Sequence, residues 1–277
     1  MSDIINKIAV DHEVRYGAVI EIVKNSLNNI HTTGIPKTNL NRILNALGDF
    51  NQYRQDVVEY EQIINTKPSI ITEARPKSDR QFDQFLATEK TVFDKVSLIS
   101  RAGDFYNRSV CILGDDDLLS LAIASLNQAA KITVFEIDPR ICDYIKSKNP
   151  NIEIINLDLK EKIPEIYKNK FDLIITDPPY TQSGIGLFLN RGIELLKPSL
   201  TSRIYLSCGM SDRARERELV IQDEITKRGL LVNYKYFQFN TYVGADSIGN
   251  TSSLYVLDWT PKTKSQIIDL SKIYTHE

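Results

Sequence analysis

The chain has 277 residues, with 34 lysines and arginines against 36 aspartates and glutamates and a formal charge of −2. Hydrophobic residues make up 42% and charged ones 25%, a balance that excludes a disordered, fibrous or collagen-like chain and disfavours a general nucleic-acid binder, leaving open only a local basic face. No apolar run approaches the roughly 20 residues of a membrane span. The amino-terminal stretch carries acids through its apolar part and lacks the order of a signal peptide. Three scattered cysteines (Cys111, Cys142, Cys208) and three scattered histidines suggest neither a disulfide framework nor a metal site. A cytoplasmic protein without a metal is expected.

Residues 1–75 are expected to form a small helical domain. His12–Asn29 sets Val14, Ala18, Ile22 and Leu27 near helical spacing, Lys37–Leu47 follows the breaker Thr33-Gly34-Ile35-Pro36, and Phe50–Asn65 is a third helix. Three short helices around a Gly-Pro turn suit a helix-turn-helix. A dimerisation or lid module is favoured because the basic residues do not cluster, and a homodimer stays open. Lys67–Arg80, with two prolines and mixed charge, reads as the linker.

Residues 76–277 change character. Strands are expected at Ser109–Leu113, Lys131–Phe135, Ile152–Ile155, Phe171–Thr176, Arg203–Ser207, Leu231–Phe239 and Ser252–Trp259. Helices are expected at Leu118–Asn127, Pro139–Ser147, Lys160–Tyr167, Gly184–Leu196 and Asp212–Arg228. Apolar strands such as VCIL and LIIT imply burial on both faces, as in a parallel sheet. The last two strands have no helix between them and predict an antiparallel hairpin at the sheet edge. This order gives an α/β fold that resembles the Rossmann-like class I methyltransferases.

In such a sheet, ligands bind beyond the carboxyl ends of the strands. Acids recur there: Asp115-Asp116-Asp117 after Gly114, then Glu136 with Asp138, then Asp158, then Asp177. One acid at such a place is a common helix cap; the set exceeds that need. Glu136 suits ribose hydroxyls. Asp158 suits an adenine amino group or, equally, a cap before Lys160. One glycine followed by three carboxylates is hostile to phosphate, so NAD and nucleoside triphosphates are disfavoured, and a cation is welcome. S-adenosylmethionine is cationic but carries a carboxylate; its decarboxylated form does not. A charge pair at about 4 Å is worth about 4 kcal/mol at an effective dielectric near 20, and a fraction of that decides between the two donors. A divalent metal on the triple acid is the competing idea.

Asp177-Pro178-Pro179-Tyr180 is a specific signal. The prolines fix the backbone past a buried strand, a carboxylate can hold an amine and take its proton, and an aromatic face stabilises nearby positive charge. The same pattern occurs in amino-group methyltransferases and says that a nitrogen is alkylated. The base is expected to be Asp116 or Asp177. Asp115 and Asp117 would orient other ammonium groups, and Asp246, in the hairpin loop from Phe239 to Asn250, would meet a distal amine. Gln84 and Thr88 would touch the adenosine end or lie on an ordinary helix. Tyr255 and Trp259 are expected in the core, Asp212–Glu218 as a solvated helix face, and the tail after Pro261 as a mobile segment or lid.

Phe82-Asp83-Gln84-Phe85 with Thr88, Arg101-Ala102-Gly103-Asp104-Phe105, Gly114-Asp115-Asp116-Asp117-Leu118 with Ser120, and Asp177-Pro178-Pro179-Tyr180-Thr181 followed by Phe188–Ile193 occur in this order. Together they resemble the branched-chain polyamine synthases, best over Phe82–Lys197 and least before Arg75. That resemblance implies transfer of aminopropyl groups from decarboxylated S-adenosylmethionine to an internal amine of a polyamine such as spermidine, with release of methylthioadenosine. It also implies that Asp115–Asp117 and Gly114 serve donor and acceptor, that Pro178 borders the donor, and that Asp177 and Tyr180 line the reacting centre. Two rivals are an S-adenosylmethionine-dependent amino methyltransferase acting on nucleic acid or protein, and a non-catalytic polyamine sensor.

Overall fold

A computed structural model of the chain describes residues 75–127, 129, 131–209, 215–243 and 250–275. The expected helices before residue 75, Asp246, and the start of the expected Asp212–Arg228 helix lie outside the described residues.

The first described helix, α1 (Glu89–Arg101), was not among the expected elements. Thr88 caps it, its hydroxyl accepting from Thr91 N, and Val92, Val96 and Ile99 form its buried face. That cap and the i, i+4, i+7 apolar spacing are the sequence signal for it. β1 (Ser109–Leu113), α2 (Leu119–Leu126), β2 (Lys131–Glu136), α3 (Pro139–Lys148) and β3 (Glu153–Asn156) follow, then β4 (Leu173–Thr176), α4 (Gln182–Leu195), β5 (Arg203–Gly209), α5 (Arg215–Thr226) and the hairpin β6 (Leu231–Thr241) and β7 (Thr251–Asp258). The expected strands appear with ends shifted by at most two residues. The expected helix Lys160–Tyr167 does not form: only a 3-10 turn, Glu165–Tyr167, is present. Pro164, with ψ 136°, supplies no amide donor and bars the preceding residue from helical geometry.

The seven strands form one sheet in the order β3-β2-β1-β4-β5-β7-β6. β1 to β5 are parallel, while β7 runs antiparallel between β5 and β6. Alternate residues of the central strands feed two cores. Val110, Ile112, Ile175 and Tyr205 pack with α1, α2 and α3, and Cys111, Leu113, Ile174, Ile204 and Leu206 pack with α4 and α5. Each fully buried Ile or Leu contributes about 1.5–3 kcal/mol, so burial on both faces fixes this register against a one-residue slip. From β1 the chain runs outward to β2 and β3 on one side, then returns to pair β4 on the other. Between the carboxyl ends of β1 and β4 lies the switch point where such sheets bind ligands.

Candidate active site

The acidic loop after β1 is divided by its backbone. Gly114 adopts φ +72°, a conformation that costs a side chain, and donates its N–H to Phe135 O at 2.9 Å. Asp115 donates its N–H to Glu136 Oε2 at 2.7 Å, while its carboxylate accepts from Ser120 N at 3.2 Å and so caps α2. Asp117 Oδ1 accepts from Ala87 N at 2.6 Å. Of the three, Asp116 lines the cavity.

That cavity has a volume of about 490 Å³ and is bordered by Asp116, Asp177, Tyr180, Gln182, Arg217 and Tyr242, among others. Asp177 lines it. Tyr180 donates to Asp177 Oδ1 at 2.9 Å and Tyr242 donates to Oδ2 at 2.5 Å. Ser252 lies 2.8 Å from the Tyr242 hydroxyl, and Asn240 Nδ2 donates to Ser252 Oγ at 2.7 Å. With both tyrosyl protons committed to Asp177, Ser252 supplies the proton to Tyr242. A carboxylate has about four acceptor sites, so two donors leave room for an amine. Pro178 and Pro179 set the backbone, Thr181 caps α4 through Gly184 N at 2.9 Å, and Gly209 lies so close to Tyr180 that a Cβ there would overlap the ring.

Charge crowding raises the protonation of this group. Burial lifts Asp177, Asp117 and Asp116 above the usual carboxylate range, and neighbouring acids lift Asp116 further. Burial pushes Asp115 to about 8, Glu136 and Asp117 adding to the rise while the Ser120 hydrogen bond opposes it. Burial, then the charge of Asp177, also holds the Tyr180 and Tyr242 hydroxyls well above their ordinary value, so both act as donors.

A second, narrower cleft opens at the ends of β2 and β3. Gly114, Glu136, Asp158, Phe188, Ile273 and Tyr274 border it. Its volume of about 30 Å³ is room for water rather than for a nucleoside. The tail fills it: Ile273 is buried, its carbonyl accepts from Thr181 Oγ1 at 2.7 Å, and Lys160 Nζ lies 4.7 Å from the centre of the Tyr274 ring. Thr275 donates through its N–H and hydroxyl to Asp83. The tail is therefore docked here as a strap. Glu136 uses both oxygens on backbone amides, Oε2 on Asp115 and Oε1 on Asp138 N at 2.8 Å. Asp158 borders the cleft and accepts from Lys160 N at 2.8 Å, a local turn contact rather than the expected helix cap, since no helix begins at Lys160.

The structure thus gathers Asp116, Asp177, Pro178 and Tyr180 at the large cavity, and Gly114, Glu136 and Asp158 at the cleft. Asp115, Asp117, Asp138 and Gln84 border neither. Asp115 and Asp117 spend their carboxylates on backbone amides rather than on the cavity. Asp138 caps α3 at Arg140 N and pairs with the Arg140 side chain. Burial acts to raise it, but the Arg140 and Gln84 hydrogen bonds outweigh that and hold it below the usual range. Gln84 Nε2 donates to Asp138 Oδ2 at 3.0 Å and braces that cap. Of the expected solvated face Asp212–Glu218, Glu216 and Arg217 are exposed, Arg217 also lining the cavity; Glu218 departs from it, buried against the Tyr255 hydroxyl and Lys235 Nζ. Tyr242, Ser252 and Lys95 were missed as individuals; Tyr242 and Ser252 follow no spacing rule, because a hairpin brings them to Asp177.

The profile described as the branched-chain polyamine synthase A C-terminal domain matches residues 62–275. The chain belongs to this family. An uncharacterized protein of Methanocaldococcus jannaschii is 37% identical over 220 residues, 78% of this chain and 55% of that one. The N(4)-bis(aminopropyl)spermidine synthase of Thermococcus kodakarensis is 34% identical over 195 residues, 68% of this chain and 55% of that one. This family member thus spans about half the length of the curated relatives it matches. Among solved structures, the branched-chain polyamine synthase of Thermus thermophilus, in complex with N4-aminopropylspermidine and 5'-methylthioadenosine, aligns with a TM-score of 0.63 at 23% identity, covering 72% of this chain and 63% of that one. A putative RNA methyltransferase from Pyrococcus horikoshii aligns at 0.56 and 13% identity, covering 74% and 99%; the likeness is one of fold. No described helix is long and apolar enough to cross a membrane.

Proposed function

We propose that the chain transfers an aminopropyl group from decarboxylated S-adenosylmethionine to an amine of a polyamine such as spermidine. The observation that carries this reading is Asp177, held by two tyrosyl hydroxyls in a cavity that Asp116 also lines. An alkyl ammonium cannot attack until it loses a proton. Asp177 takes that proton; the freed lone pair forms the new N–C bond in line with the C–S bond, and the sulfur keeps the electron pair and leaves as neutral methylthioadenosine. The sulfonium is already a good leaving group, so positioning and proton removal are what the protein supplies. Asp116 holds a neighbouring ammonium, and Glu136 and Asp158 suit the nucleoside of the donor once the strap yields.

The raised carboxyl groups fit a cationic substrate pair. Before substrate arrives they cannot all be ionised side by side; an entering polycation lets them release protons and pair with it. A donor with its own carboxylate would oppose that ionisation. The test is to supply each donor with spermidine and measure methylthioadenosine. Release from the decarboxylated donor, lost in Asp177→Asn, supports the reading. Adenosylhomocysteine released with a nucleic acid or protein acceptor, or tight spermidine binding without turnover, would replace it.

A further inference from the structure

Lys95 is a buried cation that the scheme above does not use. It lies on α1 at 3% exposure, and its Nζ donates to Ser207 Oγ at 3.2 Å. Among the described residues it makes no direct ion pair, an expensive state for a buried ammonium unless a nearby field compensates. The sheet register supplies that field. Thr176 of β4 is paired with Leu206 of β5, so the next residues, Asp177 and Ser207, stand side by side. They fall on the face of Ile175 and Tyr205, which packs against Val92 and Val96 of α1. Just before α1, Ala87 N holds Asp117. The helix that orients Asp117 therefore also brings a positive charge beside Asp177.

We propose that Lys95 is a positioning residue of the transfer site: its ammonium, anchored on Ser207, is the fixed counter-charge of Asp177 and Asp117. The inference rests on the reading of Asp177 as the base. A lysine in direct contact would occupy the lone pairs that the amine needs, whereas one held on Ser207 stabilises the carboxylate and leaves them open. After burial, which raises both groups, Lys95 is the next largest influence on Asp177 and on Asp117, and it acts to lower both. The other groups facing them are Asp115 and Asp116 from the loop after β1, Glu136 from β2, Tyr180 and Tyr242 from the cavity wall, Cys208 from β5, and Arg75 before α1. The acids oppose ionisation, and Lys95 and Arg75 favour it.

The test compares Lys95→Gln, Lys95→Met and Lys95→Arg in the full chain. Two measurements are made on each: the pH profile of kcat/KM for methylthioadenosine release, and the titration of the aspartate carboxylates by 13C NMR. The neutral variants are expected to move the acidic limb, and the midpoints of the buried aspartates, upward by about 1–3 pH units, with the alkaline plateau kept. Lys95→Arg is expected to return both to the wild-type position. Rates lowered equally at every pH with the limb in place, or unmoved carboxyl midpoints, would overturn the proposal, and so would failure of Lys95→Arg to restore a folded variant. Should the wild-type chain release no methylthioadenosine, the proposed function fails, and the NMR titration still decides the counter-charge.

Discussion

Tyr242→Phe is the sharpest test of the base. The substitution keeps a ring of the same shape in its buried site and removes the hydroxyl that donates to Asp177 Oδ2 at 2.5 Å. Asn240 Nδ2 still donates to Ser252 Oγ, while the Ser252 hydroxyl loses the acceptor of its own proton. A hydrogen bond to a charged group is worth about 1.5–3 kcal/mol, which corresponds to about 1–2 pKa units. The lost bond favoured the ionised form, so the Asp177 pKa, already raised chiefly by burial, rises further. Activity is then intact above the new value and is lost as the pH falls through it. The expected profile of methylthioadenosine release has its acidic limb moved upward by about 1–2 units, with the alkaline plateau nearly unchanged. An acidic limb that stays in place, or moves to lower pH, would refute Asp177 as the group that takes the proton.

Asp116→Asn removes a carboxyl that lines the large cavity, and under the proposed function the KM for the amine is expected to rise about 10–100-fold with a smaller change in kcat; equal loss in both would assign it a part in the proton transfer instead. Gly209→Ala places a methyl group where the Tyr180 ring lies, so kcat is expected to fall while the unfolding midpoint changes little, as steady-state rates and urea titration will report. Arg203 joins Asp104 at 3.0 Å and Asp258 at 2.6 Å, with Arg203 and Asp104 almost fully buried. Arg203→Met removes the counter-charge of the buried Asp104, which keeps its hydrogen bond from the Tyr205 hydroxyl, and is expected to cost about 3–5 kcal/mol in urea unfolding. Lys90→Ala, breaking an exposed pair with Asp94, is the control and should change stability by less than about 1 kcal/mol.

The sequence by itself determined the parallel sheet, its edge hairpin and the positions of the acids, because strand burial and side-chain alternation are local properties. VCIL and LIIT can be buried on both faces only in the middle of a sheet, and the acids that follow them then stand at its carboxyl edge. Asp177-Pro178-Pro179-Tyr180 was legible for the same reason: four consecutive residues carry their geometry with them. What each acid does was decided only by tertiary structure. Asp115, Asp116 and Asp117 are chemically identical neighbours, yet one caps α2, one faces the cavity and one is held by the backbone ahead of α1. No composition or spacing rule distinguishes them, since the difference lies in which amide each meets. Tyr242 reaches Asp177 through a hairpin, and Lys95 reaches Ser207 through a helix packed on the sheet; a contact of that kind is fixed by packing rather than by local sequence. The tail was expected to be mobile or a lid because it is polar, and its docking in the cleft at the ends of β2 and β3 depends on Ile273 finding an apolar niche that only the folded sheet provides.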